Sequence, residues 1–134
     1  MTGAELRACG GGDQGVVTLR GELDAANAAA AADAVLAATA GGGCVIVDLS
    51  AVGFIDCCAL GALAYVRQLA QRAGGDVLLA GPREPARRLL ELVGLSGVFS
   101  VHSSVAAAAA CRGSGRYAAR QLAVFAAPPG GQPR

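Results

Sequence analysis

The chain has 134 residues, of which 54% are hydrophobic and only 16% are charged, and its formal net charge is +1. This length and apolar content support one modest hydrophobic core and argue against both a second domain and wholesale disorder. No stretch reaches the roughly 18 consecutive apolar residues of a membrane-spanning helix, and the N-terminus lacks the layout of a signal peptide. We therefore expect a soluble, cytoplasmic protein.

The cysteines and the basic residues argue against two further classes of protein, secreted disulfide-rich domains and nucleic-acid-binding proteins. Five cysteines are too few for the disulfide framework of a secreted domain, and none form a CxxC pair of the metal-binding kind. We expect no metal site and no cofactor, and the single histidine, His102, is not interpreted as a ligand. Residues 112–134 carry arginine and no acid, but the chain lacks the dense basic patch that nucleic-acid binding requires.

Two stretches near the N-terminus have the character of strands. Residues 4–8 alternate small or apolar side chains with charged ones, and residues 16–20 are rich in β-branched side chains. A glycine-rich cluster at residues 10–13 separates them. This pattern predicts a β-hairpin.

An alanine-rich run, an apolar run and a second helix pattern follow. Asp24 precedes residues 25–40, whose composition favours a helix that this aspartate caps and a triple glycine ends. Residues 44–47 are an unbroken apolar run, typical of a strand buried on both faces of a mainly parallel sheet. A helix is predicted to begin near Cys57, with Arg67 on its solvent-facing side.

The remaining elements continue the alternation of strands and helices. Residues 77–80 predict another buried strand, and Pro85 suits the first turn of a helix that Gly94 ends. Residues 98–101 predict a weaker strand, and a polyalanine helix is expected at 105–110. The order predicts an α/β fold with a mixed, mainly parallel β-sheet and about four helices packed on it.

The C-terminal segment is predicted to be an appendage, residues 112–134, to a domain spanning residues 1–111. Residues 116–125 have the spacing of one short amphipathic helix, and the prolines and glycines at 128–131 are typical of disorder. We favour a disordered tail over a helix that docks on a partner or on a membrane surface.

Three local motifs stand out within this order of elements. They are Gly-Glu-Leu-Asp at residues 21–24, the segment 48–56 that leads into the main helix, and the segment 88–95. Together with the element order, they resemble the STAS domain of bacterial anti-sigma factor antagonists. The resemblance extends from about residue 4 to residue 110.

The resemblance implies a non-enzymatic switch in transcription regulation. In that family the protein binds an anti-sigma factor, which is a serine kinase, and thereby frees the sigma factor. The kinase ends this binding when it phosphorylates a Ser or Thr of the antagonist directly after the motif aspartate. That aspartate is Asp56 here, but Cys57 and Cys58 replace the two hydroxyl residues and Ala59 replaces the glycine that follows.

A side chain at a helix N-terminus lies where unpaired N–H groups favour added negative charge, which suits a phosphate switch. A cysteine does not accept phosphate in the ordinary kinase reaction. We therefore predict a regulatory protein that sequesters an anti-sigma factor, or a related regulatory protein, and that is not switched by phosphorylation.

Two interpretations of Cys57 and Cys58 remain open. A helix N-terminus favours the reactive thiolate, so the pair has the chemistry of a redox sensor. We favour the other interpretation, in which cysteine is a near-isostere of serine that only packs.

The motif segments are expected to converge at one end of the sheet, where α/β folds place their ligand sites. Asp24 has two interpretations. It can cap the helix that follows, or it can contact the kinase as the family resemblance implies, and one residue can serve both roles. The predicted partner-binding surface consists of Glu22, Asp24, Phe54, Asp56, Ala59 and Arg67.

Two other functional classes compete with this one. The alternative is an accessory STAS subunit of a membrane lipid or anion transport system. The altered phosphosite weakens the interpretation as an anti-sigma factor antagonist, but it does not establish the transport subunit. A thiol enzyme needs a nucleophile beside an oriented base, and His102 has no evident partner, so we expect no enzyme. We expect a monomer or weak dimer without direct membrane insertion.

Overall fold

The computed structural model describes residues 14–41, 43–94, 98–112 and 119–127. Strands and helices alternate along these residues, as the sequence predicts. The strands are β1 (Gln14–Leu23), β2 (Cys44–Ile55), β3 (Asp76–Ala80), β4 (Ser100–His102) and β5 (Ala119–Ala126). The α-helices are α1 (Ala28–Ala38), α2 (Cys57–Arg72), α3 (Glu84–Leu92) and α4 (Val105–Arg112).

The strands form one sheet in the order β4-β3-β2-β1-β5. Every strand pair in the described part of the chain is parallel. The carboxyl ends of the strands therefore meet along one edge of the sheet. The first strand of the predicted hairpin, residues 4–8, lies outside the described residues.

Helices cover the two faces of the sheet unequally. Helices α1, α2 and α3 pack on one face and enclose the main core, in which Leu19, Leu49, Leu60, Leu63 and Leu90 are almost fully buried. On the other face, Ala108 and Ala109 of α4 pack against β2 and β3 in a smaller core. No described helix is long and apolar enough to cross a membrane.

Helix α1 is shorter than predicted, because Asp24 does not cap it. The carboxylate of Asp24 accepts a hydrogen bond from the backbone N–H of Ala26 at 3.0 Å, which closes a turn before the helix. The helix begins only at Ala28, after Asn27, and its last residue is Ala38.

Residues 119–126 form a strand, so the predictions of an amphipathic helix and of a disordered tail are both wrong for them. Their side chains follow a period of two near the end of the strand, where Ala123 and Phe125 face the main core and Val124 is exposed. The free edge of β1 supplies backbone partners that an isolated segment lacks. The predicted disorder at 128–131 lies outside the described residues.

Candidate functional site

Two of the sequence motifs lie side by side because β1 and β2 pair in parallel up to their ends. Glu22 is opposite Phe54, and Leu23 is opposite Ile55. The backbone N–H of Asp56 donates a hydrogen bond to the carbonyl oxygen of Leu23 at 3.0 Å. This bond joins the end of the first motif to the residue that starts α2.

The pairing of β1 with β2 is irregular where β1 enters this site. The β1–β2 register shifts between Thr18 and Arg20 and again between Gly21 and Glu22. Gly21 has a φ of +91°, a conformation that side chains larger than hydrogen rarely adopt. Such irregularities re-aim the residues that follow them, here Glu22, which is exposed.

The turn after β1 is braced by Asn27, a residue that the sequence analysis missed. Its side-chain oxygen accepts a hydrogen bond from the Asp24 N–H at 3.0 Å, and its amide nitrogen donates to the Glu22 carbonyl oxygen at 3.0 Å. The Asp24 carboxylate is itself held by Ala26. An asparagine three residues after an aspartate is a turn signal that sequence reasoning can use.

The start of α2 is capped by Asp56. Its side chain accepts a hydrogen bond from the backbone N–H of Ala59 at 3.0 Å, which satisfies one of the unpaired donors at the helix N-terminus. Ala59 is 2% exposed, so it supplies this N–H and not a surface side chain. Cys57 and Cys58, in the first turn, are exposed free thiols, whereas Cys44 is disulfide-bonded.

Two aromatic side chains on β2 and α2 are exposed. Phe54 is 47% exposed and Tyr65 is 61% exposed. Tyr65 is eight residues beyond Cys57 and therefore about 12 Å further along the same solvent-facing side of α2. The sequence analysis missed Tyr65, although its helical spacing from Cys57 was visible.

Arg67 does not join these residues, and its predicted solvent-facing position is wrong. Its side chain is only 18% exposed, and its Nε donates to the carboxylate of Asp76 at 3.0 Å. Asp76 is buried at the amino end of β3, on the opposite edge of the sheet from Asp56. The buried carboxylate draws Arg67 inward, because a charge away from water needs a partner.

His102 lies on β4, away from the segment that joins β2 to α2. The Nε2 of His102 lies 2.8 Å from the hydroxyl of Ser100, on a strand that β3 separates from β2. Across the described ranges, no group of three or more His, Cys, Asp or Glu side chains has the arrangement of a metal site. The carboxyl ends of β1 and β2 thus carry the carboxylates of Glu22, Asp24 and Asp56 together with the exposed side chain of Phe54.

Comparison with solved structures supports the same fold. A candidate anti-sigma factor antagonist from Thermotoga maritima superposes with a TM-score of 0.60 at 24% identity, covering 66% of this chain and 78% of that one. A sulfate transporter family protein from Wolinella succinogenes gives a TM-score of 0.64 at 18% identity, covering 74% and 84%. At these sequence identities, both structural similarities are evidence for the fold alone.

Comparison of sequences is more specific. The model of the STAS domain family matches residues 9–108. The anti-sigma-F factor antagonist RsfA of Mycobacterium tuberculosis is 32% identical over 96 residues, which cover 69% of this chain and 75% of RsfA. The chain belongs to the STAS domain family and is a homologue of anti-sigma factor antagonists.

Proposed function

We propose that the protein is an anti-sigma factor antagonist that works by binding and sequestering its partner. The observation that carries this proposal is the joining of two family motifs at one surface, through the hydrogen bond from Asp56 N–H to the Leu23 carbonyl. The 32% identity to RsfA supports the same class of partner. The partner is an anti-sigma factor of the serine kinase type, or a related regulatory protein.

The contact region is a surface at the carboxyl ends of β1 and β2, extended along α2. We call it the motif surface, and it consists of Glu22, Asp24, Phe54, Asp56, Cys57, Cys58 and Tyr65. The surface carries three carboxylates, and its exposed aromatic side chains, Phe54 and Tyr65, are of the kind enriched at protein interfaces. Because Asn27 and Ala26 already fix Asp24, a partner meets that carboxylate in an ordered turn and orders less of the chain on binding.

The proposed mode of action is binding without a phosphate switch. Cys57 and Cys58 occupy the first two positions of α2, where the family carries its hydroxyl acceptor, and both are exposed. A kinase that approaches this helix end meets thiols and no hydroxyl. The partner is then retained in the presence of ATP, and the amount of this protein sets the amount of partner sequestered.

Calorimetric titration against purified serine-kinase-type anti-sigma factors of the host tests the proposal. Asp24→Asn keeps the turn's acceptor oxygen but removes the charge, and we expect it to weaken binding by about tenfold. Asp33→Asn removes an exposed charge from α1 and is the matched control, with unchanged affinity. Failure of the wild-type chain to bind any of these proteins, or equal affinities of the two variants, contradicts the proposal.

A further inference from the structure

The last part of β2 has a strand on one side and a turn on the other. β1 pairs with β2 as far as Ile55, whereas β3 pairs with it only as far as Asp48. A Cβ on Gly81 would lie 3.3 Å from the Cβ of Ser50, so the turn from β3 into α3 continues along β2 where the pairing stops. This turn therefore borders the end of β2 on the side away from β1.

Arg83, at the start of α3, reaches the end of β2 from that side. Its backbone is fixed, because its carbonyl oxygen accepts a helical hydrogen bond from the N–H of Arg87 at 2.9 Å. Its Nη1 lies 3.9 Å from the position that a Cβ on Gly53 would take, so the guanidinium lies over a residue that has no side chain. Gly53 directly precedes Phe54, and both residues are exposed. A cation therefore stands at the residue before the exposed aromatic of the motif surface.

The charge of Arg83 is not balanced within the described part of the chain. Arg87 and Arg88, further along α3, both form ion pairs with the carboxylate of Glu84. Among the described residues, no ion pair involves Arg83, and its side chain is exposed. Arginine is one of the residue types enriched at protein interfaces and among the residues that contribute most to binding.

We propose that Arg83 is a partner-binding residue that receives a carboxylate of the anti-sigma factor; this inference rests on the proposed function. The carboxylates of the motif surface lie at the end of β1, in the turn after it and at the start of α2, whereas Arg83 borders β2 on the side away from β1. A guanidinium binds a carboxylate through two parallel hydrogen bonds. The partner therefore presents a basic group to the carboxylates and an acidic group to Arg83, on either side of its contact with Phe54.

This arrangement of charges determines how the partner is oriented. A partner that docks turned end for end brings its acidic group against the motif carboxylates and its basic group against Arg83. Like charges placed together at an interface disfavour that orientation. Arg83 thus contributes to specificity as well as to affinity.

Reversal of one positive charge at two matched positions tests the inference. Arg83→Glu acts beside the motif surface, whereas Arg72→Glu makes the same change at the exposed last residue of α2, at the opposite edge of the sheet. With the purified anti-sigma factor that binds the wild-type chain, surface plasmon resonance should show about a tenfold loss of affinity for Arg83→Glu. Arg72→Glu should stay within about twofold, and the difference should shrink at high salt. Thermal denaturation monitors the fold of both variants.

A zero-length cross-link identifies the group that Arg83 meets. The chain contains no lysine, so Arg83→Lys introduces a single side-chain amine and keeps the positive charge. A carbodiimide activates a carboxylate, and the amine then displaces the urea to form an amide, so that only groups in direct contact are joined. We expect Arg83→Lys to cross-link to an Asp or Glu of the anti-sigma factor, as located by mass spectrometry, and Arg72→Lys to give no such product.

The outcomes separate this inference from the proposed function. Equal affinities of Arg83→Glu and Arg72→Glu for a partner that the wild type binds would overturn the inference and leave the proposed function in place. A loss of affinity in Arg83→Glu without any cross-link from Arg83→Lys would also overturn it, because the charge then acts without a carboxylate contact. A wild-type chain that binds no serine-kinase-type anti-sigma factor would overturn both.

Discussion

The two aspartates associated with helix α2 are held in opposite ways. Asp56 caps the first turn, remains partly exposed and lies beside free thiols. Asp76, beside the other half of the helix, is buried and takes the guanidinium of Arg67 as its ion partner. The comparison shows that a charged side chain on a helix turns inward where a buried carboxylate lies in the neighbouring strand, whereas the carboxylate that caps the helix start stays in contact with water.

Loss of the buried ion pair should have the largest effect. Arg67→Ala removes the cation beside the Asp76 carboxylate, which is 1% exposed, and should lower the free energy of unfolding by about 3 kcal/mol. Urea denaturation measures this change. Arg72→Ala, on the exposed side of the same helix, is the control and should stay within about 0.5 kcal/mol. A loss below about 1 kcal/mol in Arg67→Ala would show that the pair does not stabilise the fold.

Loss of the cap at the opposite end should cost less stability. Asp56→Ala removes the acceptor of the Ala59 N–H and should lower the unfolding free energy by about 1 kcal/mol, whereas Asp56→Asn should retain most of it. Thermal denaturation of the two variants provides the comparison. Equal destabilisation by both substitutions would argue that charge, not the hydrogen bond, holds this end of the helix.

Removal of the brace in the β1–α1 turn should affect binding more than folding. Asn27→Ala deletes the side-chain bonds to Asp24 and Glu22 and should loosen the turn at a cost of about 1 kcal/mol in stability. We expect partner affinity to fall through a faster dissociation rate, which surface plasmon resonance measures. An unchanged dissociation rate would mean that the order of this turn does not matter for binding.

Substitution of the first thiol should have the smallest effect on the fold. Cys57→Ser changes an exposed side chain to a close isostere, so the unfolding free energy should stay within about 0.5 kcal/mol. The variant should gain a phosphate on incubation with the partner kinase and ATP, as read by mass spectrometry, whereas Cys57 and Cys58 of the wild type should not.

Alkylation kinetics separate the two interpretations of the thiols. If Cys57 only replaces serine, the exposed pair should react with iodoacetamide at the rate of an ordinary exposed thiol, and peroxide should leave partner binding unchanged. Fast, selective modification of Cys57 accompanied by loss of binding would establish the redox interpretation.

The alternation of strands and helices was predictable from the sequence, because in a small fold an unbroken apolar run such as 44–47 is shielded from water mainly as a buried strand. It placed Asp24 and Asp56 on neighbouring segments, and the strand pairing brings those segments together. It misplaced Arg67, because a helical pattern shows which side faces outward but not which buried group lies in the next strand. It also misassigned 119–126, whose strand depends on a partner edge about 100 residues earlier in the chain.

The most direct test of the proposed function is a titration of the wild-type chain with its anti-sigma factor before and after incubation with ATP. The proposed mechanism predicts tight binding in both conditions, with dissociation constants that agree within about twofold, since no hydroxyl stands at the start of α2. Loss of binding after incubation with ATP, together with a phosphate on this chain, would contradict it.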